Sequence, residues 1–403
     1  MSADATPLTA EELAERSGVD VETVGRYTEL GILVPEDGAY PPRDVARIRL
    51  ARSCERGGVP MDGIAKAIES GRLTFAFLDL PQYAWAPLGE RTYEEVGAEL
   101  GLSVELIQRT NEALGLAPPA AGDLVRDDDL ELLRVFAFTR MWEPDDEALL
   151  RMIRVYGESL RRIVQAEGTW YRERLERPLL ASGMNYAQMM QAASEFGASY
   201  TEFMDRAFLH MYHRQQEHAW VDGLVVNIEE SLEKMGVHRR LERPPAMCFL
   251  DLSGYTRLTE EQGDEAAAEL AGALGRLAQG TSQHHGGLPV KWLGDGVMFW
   301  FRDPGEAVVA ALEMVERTPA AGLPPAHVGL AAGPVVQQDG DYFGRTVNMA
   351  ARISARAGPS EVLVTTEVVE VSATDGVRFD EVGKVELKGF SAPVVLHRAV
   401  RAS

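Results

Sequence analysis

The sequence predicts an α+β protein, all-helical in its N-terminal half and built on a sheet in its C-terminal part. Three observations predict it. Apolar residues recur at helical spacing up to about residue 240, as in Leu149, Met152, Ile153, Tyr156 and Leu160, which share one helix face. An outline of helix, tight Gly turn and helix occurs near the N-terminus and again further along. After Pro244-Pro245 the pattern becomes strand, helix, hairpin, helix, strand. These shifts divide the chain into residues 1–80, 81–240 and 244–403.

At 403 residues the chain is longer than one compact core needs, and its 45% hydrophobic content is that of a globular protein. No apolar run reaches membrane-spanning length, and Met1 to Pro7 lack a signal-peptide core. A cytoplasmic protein with no membrane span is expected. The 2 cysteines, Cys54 and Cys248, fit no metal-ligand spacing and read as reduced, buried thiols. A net charge of −22 argues against general coating of nucleic acid, which needs clustered Lys and Arg.

Thr9-Ala10-Glu11-Glu12 has the form of a capping box and opens a short helix through Ser17. Gly18 turns the chain, Asp20 caps a second helix through Leu30, Gly31 ends it, and Arg43 to Arg56 forms another. Leu13-Ala14-Glu15-Arg16-Ser17-Gly18-Val19 and Tyr27-Thr28-Glu29-Leu30-Gly31-Ile32-Leu33 resemble the MerR-type helix-turn-helix family. Thr92-Tyr93-Glu94-Glu95 repeats the capping box, Ala113-Leu114-Gly115-Leu116 repeats the ending, and Asp129 to Trp142 echoes the third helix. The helix-turn-helix unit therefore reads as duplicated. A helix that reads DNA presents Arg, Lys, Asn or Gln outward. Val21 to Leu30 offers Glu22, Glu29 and one Arg26. Val104 to Leu114 sets Gln108 and Arg109 beside Glu105 and Glu112, and the loop in the wing position, Glu36-Asp37-Gly38-Ala39-Tyr40, is acidic. DNA binding is not expected; a packing or dimerisation module is.

From Glu143 to His238 the periodicity stays helical. His210, His213 and His218 lie near Tyr212 and Trp220, and His210 and His213 lack nearby Cys or acidic partners at ligand spacing. They read as packed or solvated side chains rather than a metal or haem site, which leaves titration near neutral pH as their property. Thr92-Tyr93-Glu94-Glu95-Val96, Gly101-Leu102, Ala113-Leu114-Gly115 and Asp129-Leu130-Glu131-Leu132-Leu133 resemble the regulatory domain of soluble actinobacterial nucleotide cyclases. That resemblance, over about Arg91 to His213, implies a small-molecule, lipid or pH signal for the regulatory domain. Leu224, Ile228, Leu232 and Met235 form a narrow apolar stripe, suited to a short parallel coiled coil into the last domain or to a packed helix. Gly236 and Pro244-Pro245 end that segment.

The C-terminal part turns on two carboxylates. Ala246 to Leu252 reads as a buried strand carrying Asp251 near its end, followed by a Ser253-Gly254 turn into a helix whose start offers free N–H groups to a phosphate. A helix from Asp264 to Ala278 follows. Leu288 to Leu293, a Gly294-Asp295-Gly296 tip and Val297 to Phe301 read as a hairpin. Beyond it lie a helix with Val308, Ala311, Leu312 and Val315, a strand from His327 to Gly333, and a helix from Thr346 to Ala357. This order is a ferredoxin-like core with additions. Asp251 and Asp295, at the ends of neighbouring strands, can hold two hard cations where metals activate an attacking oxygen and clamp a triphosphate.

Phe249 to Thr256, Lys291 to Met298, Gly340 to Arg352 and Leu387-Lys388-Gly389-Phe390, in that order, resemble the class III adenylyl/guanylyl cyclase catalytic domain over nearly all of Ala246 to Val400. The resemblance implies two Mg²⁺ or Mn²⁺ ions on Asp251 and Asp295, charge stabilisation by Arg352, ribose orientation by Asn348, and contact of Lys388 with the terminal phosphates. It matches Lys291 and Asp341 to the base-selecting pair. A donor at Lys291 and an acceptor at Asp341 fit adenine N1 and N6 and mismatch guanine, so ATP is the expected substrate. It also implies a homodimer in which Asp251 and Asp295 of one chain face Asn348 and Arg352 of the other. The expectation is an adenylate cyclase controlled by its helical half. The alternatives are a MerR-like transcriptional regulator with a nucleotide-sensing domain, or a guanylate cyclase.

Overall fold

The computed structural model describes residues 7–79, 88–143, 145–237, 244–372 and 376–402. The chain forms two compact units, Met1–Val226 and Asn227–Ser403. The first opens with α1 (Ala10–Ser17) and α2 (Val21–Glu29). Thr9 and Glu12 cap each other's backbone, Gly18 takes the left-handed conformation at φ 62°, and the Asp20 carboxylate accepts from the Thr23 amide. α3 (Asp44–Arg56) and α4 (Met61–Glu69) close a core around Leu13, Val24, Tyr27, Leu33 and Ile48.

The duplication shows in the caps. β1 (Leu88–Thr92) leads into α5 (Tyr93–Leu100), with its own capping box between Thr92 and Glu95. The chain turns at Gly101, φ 68°, and continues as α6 (Val104–Leu114) behind a Ser103 cap. β2 (Leu124–Arg126) pairs antiparallel with β1, so the helical half carries one small ribbon. Strands of 5 and 3 residues are too short to display an alternating period, which is why this half reads from sequence as all-helical. α7 (Asp127–Arg140) and α8 (Asp146–Tyr171) complete a second core with Tyr93, Ile107, Leu133, Phe136 and Leu149. The expected boundary at residue 80 lies outside the described residues, as do Pro144 and His238 within the expected helical span.

A π-helical turn at Arg172–Glu176 and α9 (Arg177–Ala181) precede α10 (Tyr186–Lys234), a helix of 49 residues. Leu224 and Ile228 of its apolar stripe, and Met235 just past its end, are exposed. His210, His213 and His218 are exposed too, and no group of three metal-ligating side chains occurs among the described residues. No described helix is long and apolar enough to cross a membrane.

The second unit runs β3 (Ala246–Leu252), α11 (Tyr255–Gln262), α12 (Asp264–His284), β4 (Gly287–Trp292), β5 (Gly296–Phe301) and α13 (Pro304–Arg317). It continues with β6 (Ala326–Ala332), β7 (Val336–Gln338), β8 (Asp341–Phe343), α14 (Arg345–Ser354), β9 (Val362–Thr365), α15 (Thr366–Val371), β10 (Val377–Val385) and β11 (Val394–Arg401). Seven strands form one sheet in the order β10-β11-β9-β6-β3-β5-β4, with β6 and β9 parallel; β7 and β8 make a separate ribbon. Alternation along β3 sends Cys248, Leu250 and Leu252 into the core with α12 and α13, and Met247 and Phe249 to the opposite face with α14. Asp251 falls on the α14 face. α14 lies so close to β6 that a Cβ on Gly329 would stand 2.1 Å from the Ser354 amide nitrogen, and only glycine fits there.

His285, at the end of α12, bridges to α13. Its Nδ1 is 2.9 Å from Glu306 and its Nε2 3.0 Å from Glu313, which also holds Arg317. A neutral imidazole donates from one nitrogen only, so both contacts together require the charged ring. Burial opposes that charge, but Glu313 and Glu306 outweigh it and hold the pKa above the ordinary histidine value. A raised pKa contributes stability that is complete below the unfolded value and is lost as pH rises through the folded one. Wild type and His285→Gln should therefore differ in urea midpoint most at about pH 6 or below and converge in alkaline buffer. A gap independent of pH would show that the bridge is not ionic.

Candidate active site

β3 and β5 pair with Asp251 opposite Gly296, which sets Asp251 beside the Gly294-Asp295-Gly296 tip. Gly294 makes that turn at φ 77°, and a Cβ on Gly296 would stand 3.0 Å from Asp251 Oδ1, so both glycines serve the carboxylates. Asp251 and Asp295 are both half-buried. Burial raises the Asp251 pKa above the usual carboxylate range and the Asp295 charge raises it further, while His327 opposes them. A divalent cation reverses that cost, and hard carboxylate oxygens are the donors that Mg²⁺ and Mn²⁺ prefer. The residues present fit such ions.

Lys291 and Asp341, 50 residues apart, meet across β4 and β8 with Nζ 2.7 Å from Oδ2. Burial pushes the Asp341 pKa up, but the Lys291 contact and the Tyr342 amide hold it below the usual value. β4 is the sheet edge, and the Lys291 side chain is 53% exposed. A lysine on an edge strand needs no special reason, so its partner rather than its burial marks it. Tyr342, next to Asp341, stacks on Trp300 of β5 with centroids 6.1 Å apart, which fixes the β8 side of the pair.

Asn348 and Arg352 stand one turn apart on the exposed side of α14, while Val347, Met349, Ala350 and Ile353 bury the other side. Among the described residues no ion pair joins Arg352 to Asp251 or Asp295. Lys388 is exposed between β10 and β11, two residues before Phe390, whose ring lies 5.5 Å from the guanidinium of Arg345 at the start of α14. α11 begins at Gly254, φ 79°, with no side chain capping its first amides. Sequence reasoning overlooks His327. Its Nδ1 is 3.0 Å from Ser253 Oγ and its Nε2 3.7 Å from Asp251 Oδ2. The register of β3 on β6, pairing Asp251 with His327, brings these together, and no local pattern announces it.

The adenylate and guanylate cyclase catalytic domain model matches residues 242–398, and the MerR HTH family regulatory protein model matches residues 8–71. An uncharacterized protein of Mycobacterium tuberculosis H37Rv is 28% identical over 374 residues, covering 91% of this chain and 93% of the relative. A pH-sensitive adenylate cyclase of Mycobacterium tuberculosis CDC 1551 is 29% identical over 77% of this chain and 78% of its own length. An adenylate cyclase of Streptomyces coelicolor is 30% identical over 70% of this chain and 72% of its own length.

Proposed function

The chain belongs to the adenylate and guanylate cyclase family, and from that premise we propose that it converts ATP to 3′,5′-cyclic AMP and pyrophosphate. The observation that carries the choice of ATP is the Lys291–Asp341 pair, 2.7 Å apart. It offers a donor to adenine N1 and an acceptor to adenine N6, and guanine inverts both. The relatives named adenylate cyclases support the same choice.

In this reading the ribose 3′ oxygen attacks the α-phosphorus in line, its proton leaves, and the bond to pyrophosphate breaks. Asp251 and Asp295 would hold two Mg²⁺ or Mn²⁺ ions. When bound, such ions neutralise the triphosphate and acidify the hydroxyl. Arg352 presents a fork of donors to the charge that builds on the α-phosphate, and Asn348 holds the ribose. The open amides at the start of α11 suit phosphate oxygens, and Lys388 reaches the terminal phosphates. Asn348 and Arg352 come from a second copy in a homodimer, which agrees with their exposure and with the exposed Trp292, Leu293 and Phe343 on the hairpin and ribbon.

The helical half, on this view, sets the rate through the exposed stripe of α10 in response to a small molecule, a lipid or pH. The name of the pH-sensitive relative supports pH. Binding of DNA by the first unit is not part of the proposal. Arg26, the cation of its second helix, is paired with Glu55, and Tyr27 donates to the same carboxylate at 2.6 Å.

Assay of the purified full-length protein with each nucleotide tests the substrate. ATP is expected to exceed GTP in kcat/KM by about a hundredfold, since two mismatched polar contacts cost roughly 1–3 kcal/mol each. The double substitution Lys291→Glu with Asp341→Ser, which inverts the polarity, is expected to reverse or erase the preference. Equal turnover of GTP by the unaltered protein would refute the assignment.

A further inference from the structure

Asp251 is one of two carboxylates at the site, and its chemistry depends on where its oxygens point. On its own strand the Leu252 amide donates to the carboxylate. The neighbouring strand supplies His327, whose side chain is 13% exposed and lies between two groups of the site. Ser253 Oγ stands 3.0 Å from Nδ1, and Asp251 Oδ2 stands 3.7 Å from Nε2. The Ser253 amide also donates to Pro325, two residues before His327, at 2.9 Å. The turn that follows Asp251 is thus tied to the histidine's strand through both its backbone and its side chain.

The geometry points to His327 as a positioning residue that, held by Ser253, orients Asp251 toward a divalent cation. When the serine hydroxyl donates to Nδ1, the ring's hydrogen sits on Nε2, the nitrogen that faces Asp251. At 3.7 Å that contact is electrostatic attraction rather than a hydrogen bond, so the Oδ2 lone pairs stay available to a metal. A partner of this kind behind a metal-ligating carboxylate governs affinity for the ion. The inference rests on reading Asp251 and Asp295 as the cation's ligands.

The test measures Mn²⁺ binding to the full-length protein by the electron paramagnetic resonance of free Mn²⁺, with a non-hydrolysable ATP analogue present. Wild type is compared with His327→Ala, His327→Gln, Ser253→Ala and, as a reference, Asp251→Ala. His327→Ala and Ser253→Ala are expected to weaken Mn²⁺ binding about tenfold. The Mn²⁺ concentration for half-maximal turnover should rise by the same factor, with kcat at saturating Mn²⁺ nearly unchanged. His327→Gln, whose amide nitrogen reaches the place of Nε2, should recover most of the affinity. Ser253→Ala removes one half-buried turn hydroxyl and no ring, so it keeps the comparison interpretable should His327→Ala unfold. Wild-type Mn²⁺ affinity in both alanine variants, beside lost affinity in Asp251→Ala, would overturn the role of His327. A fall in kcat without a change in Mn²⁺ binding would overturn it as well. Undiminished binding by Asp251→Ala would instead remove the ligand reading beneath it.

Discussion

Asp251→Ala and Asp295→Ala are each expected to lower turnover at least about a thousandfold, roughly 4 kcal/mol of lost transition-state stabilisation, while leaving the fold intact. The two carboxylates share one end of the β3–β5 pair, and on the proposed reading no other acidic side chain takes their place. For Asp251 the stability effect should run opposite to the catalytic one. Asp251 is half-buried, and burial and Asp295 both act against its charge, so the folded protein gains nothing from ionising it. Its removal should leave the thermal midpoint in metal-free buffer unchanged or slightly higher, which is common where a site is built for a ligand rather than for stability. Near-wild-type turnover by either variant with Mg²⁺ or Mn²⁺ would refute the two-cation reading.

Arg352→Ala should be nearly as inactive, and mixing it with Asp251→Ala should restore activity. On the proposed homodimer, Asp251 and Asp295 of one chain face Asn348 and Arg352 of the other, and a two-fold axis forms two such sites. In a mixed dimer one site carries both lesions and the other carries none. Random pairing makes about half the dimers mixed, each with one good site of two, so about a quarter of wild-type activity should return. The chains are co-expressed with different tags, and the doubly tagged species is isolated and assayed. Mixed dimers as inactive as either parent would exclude a site shared between chains in this way.

Much of the fold is legible because its signals are local. Thr9 with Glu12, and Thr92 with Glu95, announce helix starts within four residues, and the structure builds both capping boxes. The Asp251 strand and the Asp295 hairpin are legible from apolar runs and a Gly-Asp-Gly tip. What escapes the sequence depends on register and on edges. The meeting of His327 with Asp251 follows from the pairing of β3 with β6, and the position of β4 at the sheet edge follows from strand order. Neither leaves a mark on neighbouring residues. The pair Lys291 and Asp341 is legible through the family resemblance, and the structure brings the two side chains together.

Gly329 has a consequence for how this catalytic unit can be regulated. With the backbone of α14 resting directly on β6, no slack separates the helix that carries Asn348 and Arg352 from the central strands. Helix and sheet move as one rigid block. A throttle acting inside the block would have to pry apart a close-packed seam, at a cost comparable to partial unfolding. Changing how two such blocks face each other costs far less, because it leaves every internal seam closed. On the proposed homodimer the working part would be the gap between blocks, and its gearing would lie in whatever sets their angle.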